Sequence, residues 1–72
     1  MKVKELFKRL DMNASILVVF KYYTTIDDNL YSPNTKYFKG RINNMTVPAY
    51  MRIQNHCVLQ ISLEENAIKI EI

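Results

Sequence analysis

The chain holds one histidine and one cysteine, and they are neighbours, His56 and Cys57. A cysteine nucleophile needs a base within ~3 Å to take its proton. Adjacent residues of a strand point to opposite faces of a sheet, so in a strand these two cannot form a dyad. Cys57 falls on an alternating apolar pattern and reads as a small buried hydrophobe. One His and one Cys also fall short of the four ligands of a structural zinc site. Asp27 and Asp28 lack further carboxylates at calcium-loop spacing and read as a turn. Gly40 is the only glycine, which leaves no way to write a dinucleotide fingerprint or a Walker-type phosphate loop. Glu64 and Glu65 are adjacent rather than opposed, so paired general acid–base work has no candidates. The reading is a protein that is not an enzyme and uses no metal or cofactor.

Binding chemistry is better represented. Tyr37, Lys39 and Arg41 alternate along one stretch, Tyr22 sits in the preceding apolar segment, and Tyr50 and Arg52 follow Pro48. Aromatic faces stack bases, while Arg and Lys neutralise phosphate. Charge is distributed to match. The chain carries +3 overall, yet residues 29–63 contain Lys36, Lys39, Arg41 and Arg52 with no acid. An acid-free half of a small domain suits an anionic ligand, such as a nucleotide or single-stranded nucleic acid. The same residues also fit a plain surface, with tyrosines half-buried at a strand edge and cations keeping that edge soluble. A different class is a protein-interaction module that inhibits another protein through a strand edge or a long loop.

These side chains need elements to hold them. Val3, Leu6, Phe7 and Leu10 recur at i, i+3, i+4 and i+7, predicting a helix from Val3 to Leu10 with one apolar stripe. Residues 16–23, apolar on both faces and rich in β-branched and aromatic types, predict a central strand. Thr24 to Thr35 reads as a loop or the tip of a long hairpin, twelve residues long. Residues 36–42 predict a second strand with Phe38, Gly40 and Ile42 on one face and Tyr37, Lys39 and Arg41 on the other. Gly40 within it marks a bend or bulge. Pro48 suits the first position of a helical turn. Residues 57–63 and 67–72 alternate as a hairpin around Glu64-Glu65-Asn66.

The order describes one α+β domain over residues 1–72. Its N-terminal helix caps a small antiparallel, bent sheet of four to five strands, curled into a small open barrel of the SH3-like or Sm-like kind. At 72 residues, 49% hydrophobic and 24% charged, the chain is globular but small. A domain near this size buries only ~60% of its unfolded surface. Its core rarely supplies more than ~3–5 kcal/mol. A single cysteine forbids an internal disulfide, so self-association into a homo-oligomer is the expected reinforcement. No apolar run approaches the ~18 residues of a membrane span, and charges interrupt any signal-like core near the N-terminus. The expected compartment is the cytoplasm.

Several segments together resemble a known group. Val3-Lys4-Glu5-Leu6 with Leu10-Asp11, Phe38-Lys39-Gly40, the Pro48 turn and the closing Ala67-Ile68-Lys69-Ile70-Glu71-Ile72 are similar to small uncharacterised proteins of phages and prophages of low-GC bacteria. The segment from Thr24 to Thr35 departs from that compact form. The resemblance implies a phage accessory role in the host cytoplasm, such as sequestering a signalling nucleotide. It supplies no site residues.

Overall fold

A computed structural model describes all 72 residues. The apolar run forms β1 (Ser15–Val19), which lies inside a four-stranded sheet. It pairs antiparallel with β4 (Lys36–Arg41) on one side and parallel with β6 (Ala67–Glu71) on the other. β6 in turn pairs antiparallel with β5 (Gln60–Glu64). The sheet is therefore mixed, not antiparallel as expected. A parallel neighbour needs a crossover of a dozen or more residues, and the whole segment between β1 and β6 supplies one.

The sheet is also open. β4 and β5 are its two separate edges, so the sheet does not curl into the expected barrel. Closure requires bends repeated around the sheet. Here a register shift opposite Val18–Val19 and Gly40 both fall on the β1–β4 pair.

Alternation sends Ile16, Val18 and Ile70 to one face, where they meet Val3, Leu6 and Phe7 of α1 (Val3–Phe7) and Ile53 of α2 (Val47–Ile53). The predicted stripe is thus the buried one. α1 is shorter than its stripe because the chain tightens at its end: Arg9 and Leu10 donate to the carbonyls three residues back, Leu6 and Phe7. Its start is fastened across the molecule. The Lys2 N–H donates to the Glu5 carboxylate at 3.1 Å. The Val3 and Lys4 N–H groups donate to the carbonyls of His56 and Gln54 at 2.9 and 3.0 Å. Groups that a helix start leaves without partners are thereby satisfied by the chain just after α2. α2 itself opens with Thr46, whose hydroxyl accepts from the Ala49 N–H, and with Pro48 in its first turn.

The segment expected as a loop or the tip of a long hairpin folds into a short hairpin of its own, β2 (Thr24–Ile26) and β3 (Asn29–Tyr31). Asp27 and Asp28 both take positive φ, as a type I′ turn demands. The hairpin is anchored because Ile26 is buried in the core and the Tyr31 ring lies 4.7 Å from that of Phe20. Residues 57–59, expected as strand, lie ahead of β5. Cys57 forms an isolated bridge with Lys2 at the edge of the molecule. Its thiol is exposed, correcting its reading as a buried hydrophobe.

Candidate functional site

The six residues expected to form one basic, aromatic face are placed apart. The register runs Val18 opposite Phe38 and then Val19 opposite Lys36, which leaves Tyr37 in a bulge. The bulge breaks the alternation, so Tyr37 and Phe38 both pack against the core. The Tyr37 ring meets Phe20 edge-on at 5.6 Å and Tyr31 at 6.1 Å, and its hydroxyl donates to the Ala49 carbonyl at 2.8 Å. Burial pushes its phenol pKa up, against the opposing pull of the Arg52 charge. Arg52 is engaged as well: its Nε donates to Asp27 Oδ2 at 2.6 Å. That acid lies just outside the acid-free stretch, and the β2–β3 turn brings it back. Tyr37, Arg52, Asp27, Asn29 and Tyr31 surround a hollow of about 150 Å³.

Lys39 and Arg41 do share the solvent face of the sheet, opposite Leu17 and Ser15. Lys36, Lys39 and Lys69 border a depression of about 260 Å³ over Leu17 and Val19. Glu64 and Glu65 border it too, and Lys69 lies 3.4 Å from Glu64 and 3.6 Å from Glu71. No aromatic residue lines this depression. Tyr22, exposed between β1 and β2, is not part of it. Lys36, Lys39 and Arg41 have no ion pair.

Tyr50 marks a third place. It stacks on Phe7 with ring centroids 5.8 Å apart, and both line a groove of about 330 Å³ between α1 and α2. Ile42, Met45, Val47 and Met12 line it as well, together with Lys4 and Lys8. This volume falls in the lower range of ligand sites, and its lining is mostly apolar as theirs is. Neither lysine is ion-paired, and no acid lines the groove. Lys4 and Lys8 are one helical turn apart and project to the same side. Val47 and Met12 keep 68% and 54% of their surface exposed. Flexible methionines at a groove can repack around varied partners.

Of the expected site residues only Tyr50 lies in this groove. Lys4, Lys8, Met12, Met45 and Val47 went unread, because an apolar pattern announces burial and does not say which residues stop at the surface. The pair Lys4 and Lys8 beside the Phe7 stripe was the available signal. His56 is half-buried and gives its carbonyl to the α1 start, while Cys57 stands exposed beside it. No protein-family model, curated protein or solved structure matches the chain.

Proposed function

We propose that the protein is a non-enzymatic interaction module that takes an acidic amphipathic segment of a partner protein into the groove between α1 and α2. One observation carries the reading. An apolar trough with Met12, Met45, Val47 and Tyr50 on its walls is bordered by two unpaired lysines and by no acid. An amphipathic helix lays its apolar face into such a groove, with anchors spaced i, i+3, i+4 and i+7. Lys4 and Lys8 would meet carboxylates at the helix margin, favouring acidic over basic partners. In the phage setting that the resemblance implies, the partner is a host protein and occupation of the groove inhibits it.

A short fluorescent peptide tests this, with Leu and Phe on one helical face and Glu beside them, against a twin carrying Lys for Glu. Anisotropy should report tighter binding of the acidic twin. Lys4→Glu with Lys8→Glu should weaken it by about tenfold or more, equivalent to ~1.4 kcal/mol. Equal binding of both peptides would refute the reading.

A second reading, an anionic ligand such as a nucleotide or single-stranded nucleic acid, is favoured by Lys36, Lys39 and Arg41 lying unpaired along β4. It has less support, since Tyr37 and Arg52, which were to share the task, are occupied within the fold. Under that reading Lys39→Ala weakens oligonucleotide binding and reduces its salt dependence.

A further inference from the structure

The outer edge of β5 is apolar and unpaired, and we propose that it pairs with β5 of a second copy of this chain about a twofold axis at Ser62. β5 ends the sheet, with β6 as its only strand neighbour. Ile61 and Leu63 lie opposite Ile70 and Ile68 and share their face, which is the core face. Yet Ile61 is 48% exposed and Leu63 84%, because the core face runs on past the helices that cover its centre. Protein edges normally carry charge or proline at such positions to prevent pairing. This strand carries neither of those at Ile61 or Leu63.

The backbone sets the register. Glu65 and Asn66 both have positive φ, so a two-residue I′ turn joins β5 to β6. Such a turn makes Glu64 and Ala67 a bonded pair, and bonded pairs alternate along an antiparallel ladder. Ser62 and Gln60 therefore turn their backbone groups toward β6. Ile61 and Leu63 turn theirs outward. The edge is already taken further back, where Cys57 bridges Lys2 and the Val58 N–H donates to the Met1 carbonyl at 2.7 Å. The Leu59 N–H donates to the Glu71 carbonyl of β6 at 2.8 Å, so the open stretch is β5 itself, Gln60–Glu64.

Antiparallel self-pairing centred on Ser62 uses this stretch fully. Ile61 meets Leu63 of the second copy, and each such pair exchanges both N–H to C=O bonds. The apolar row of the core face then continues without a break into the second molecule. On the opposite face Gln60 meets Glu64, so no like charges stand opposed. Glu64 is moreover neutralised by its own Lys69 at 3.4 Å. Centring the axis on Glu64 would set two glutamates against each other, and like charges directly opposite are destabilising.

The experiment uses the full chain with Cys57→Ser. Native mass spectrometry and light scattering across a concentration series should show a monomer–dimer equilibrium. Leu63→Lys should raise the dimer dissociation constant by about tenfold or more. It should leave the melting curve of the monomer intact, because the side chain is mostly exposed. Ser62→Cys should oxidise to a linked dimer, since the central unbonded pair places its Cα atoms ~4.5 Å apart. Three results would overturn the proposal. They are a monomer at every concentration, a dimer indifferent to Leu63→Lys, and faster crosslinking through Ile61→Cys than through Ser62→Cys.

Discussion

Gly40→Ala should cost the domain a large part of its stability. Gly40 lies in β4 opposite Ile16, with φ at +148°, a conformation L side chains rarely adopt. Forcing a residue with a Cβ into sparsely populated backbone costs ~1–3 kcal/mol. Removing glycine's freedom from the unfolded chain returns ~0.4–1 kcal/mol. The space itself is not prohibitive, for the new Cβ would meet Phe38 Cζ at 3.4 Å, where the ring has folded over the bare glycine. The balance is a loss of about 1–2 kcal/mol, by these two magnitudes. In a domain of this size each kcal/mol moves the melting temperature by ~4–8 °C, so thermal unfolding followed by circular dichroism should show a drop of roughly 5–15 °C. Phe38→Ala separates the causes. If backbone strain dominates, the two substitutions add; if the ring contact dominates, the double variant loses less than their sum. A Gly40→Ala protein that melts at or above the wild-type temperature would refute the reasoning.

Other expectations follow from single residues. Ile53 is fully buried where α2 meets the core, so Ile53→Ala should remove ~2–5 kcal/mol. That is comparable to all that a core of this size supplies, and urea denaturation should find the variant largely unfolded. The Tyr37 phenol has its pKa raised in the fold, so the folded state holds its proton more tightly than the unfolded chain does. Its stabilising share is present below the unfolded value near 10 and is lost as pH rises through and beyond it. Tyr37→Phe should therefore flatten the alkaline fall in stability measured by urea titration at a series of pH values; an unchanged slope would contradict this. The Arg52–Asp27 pair is short but solvent-exposed on both sides, so Arg52→Gln should change the unfolding free energy by no more than ~1 kcal/mol.

Much of the architecture could be read from residue pattern alone, and the misses have physical causes. The stripe of α1, the C-terminal hairpin and the doubly apolar β1 are local periodicities, and each element forms, although β5 starts at Gln60 rather than Cys57 and β1 ends at Val19 rather than Tyr23. The parallel pairing of β1 with β6 was not legible, because pairing partners are chosen by the sheet as a whole rather than by either strand. The separate β2–β3 hairpin was legible only as a loop or the tip of a longer hairpin, because Asp27-Asp28 is a weaker turn signal than a pair containing glycine, although aspartate tolerates the left-handed region. The site suffered most from one bulge. Strict alternation put Tyr37 with Lys39 and Arg41, and one extra residue opposite Val19 turned its ring into the core. The groove between α1 and α2 depends on where coverage ends, a property of the packed molecule that periodicity does not carry.

The most direct test of the binding account is an amide chemical-shift titration of the labelled protein with the acidic amphipathic peptide. Shifts should concentrate at Lys4, Phe7, Lys8, Met12, Met45, Val47 and Tyr50, the residues around the groove. Shifts confined to Lys36, Lys39 and Arg41, or none at saturating peptide, would contradict it.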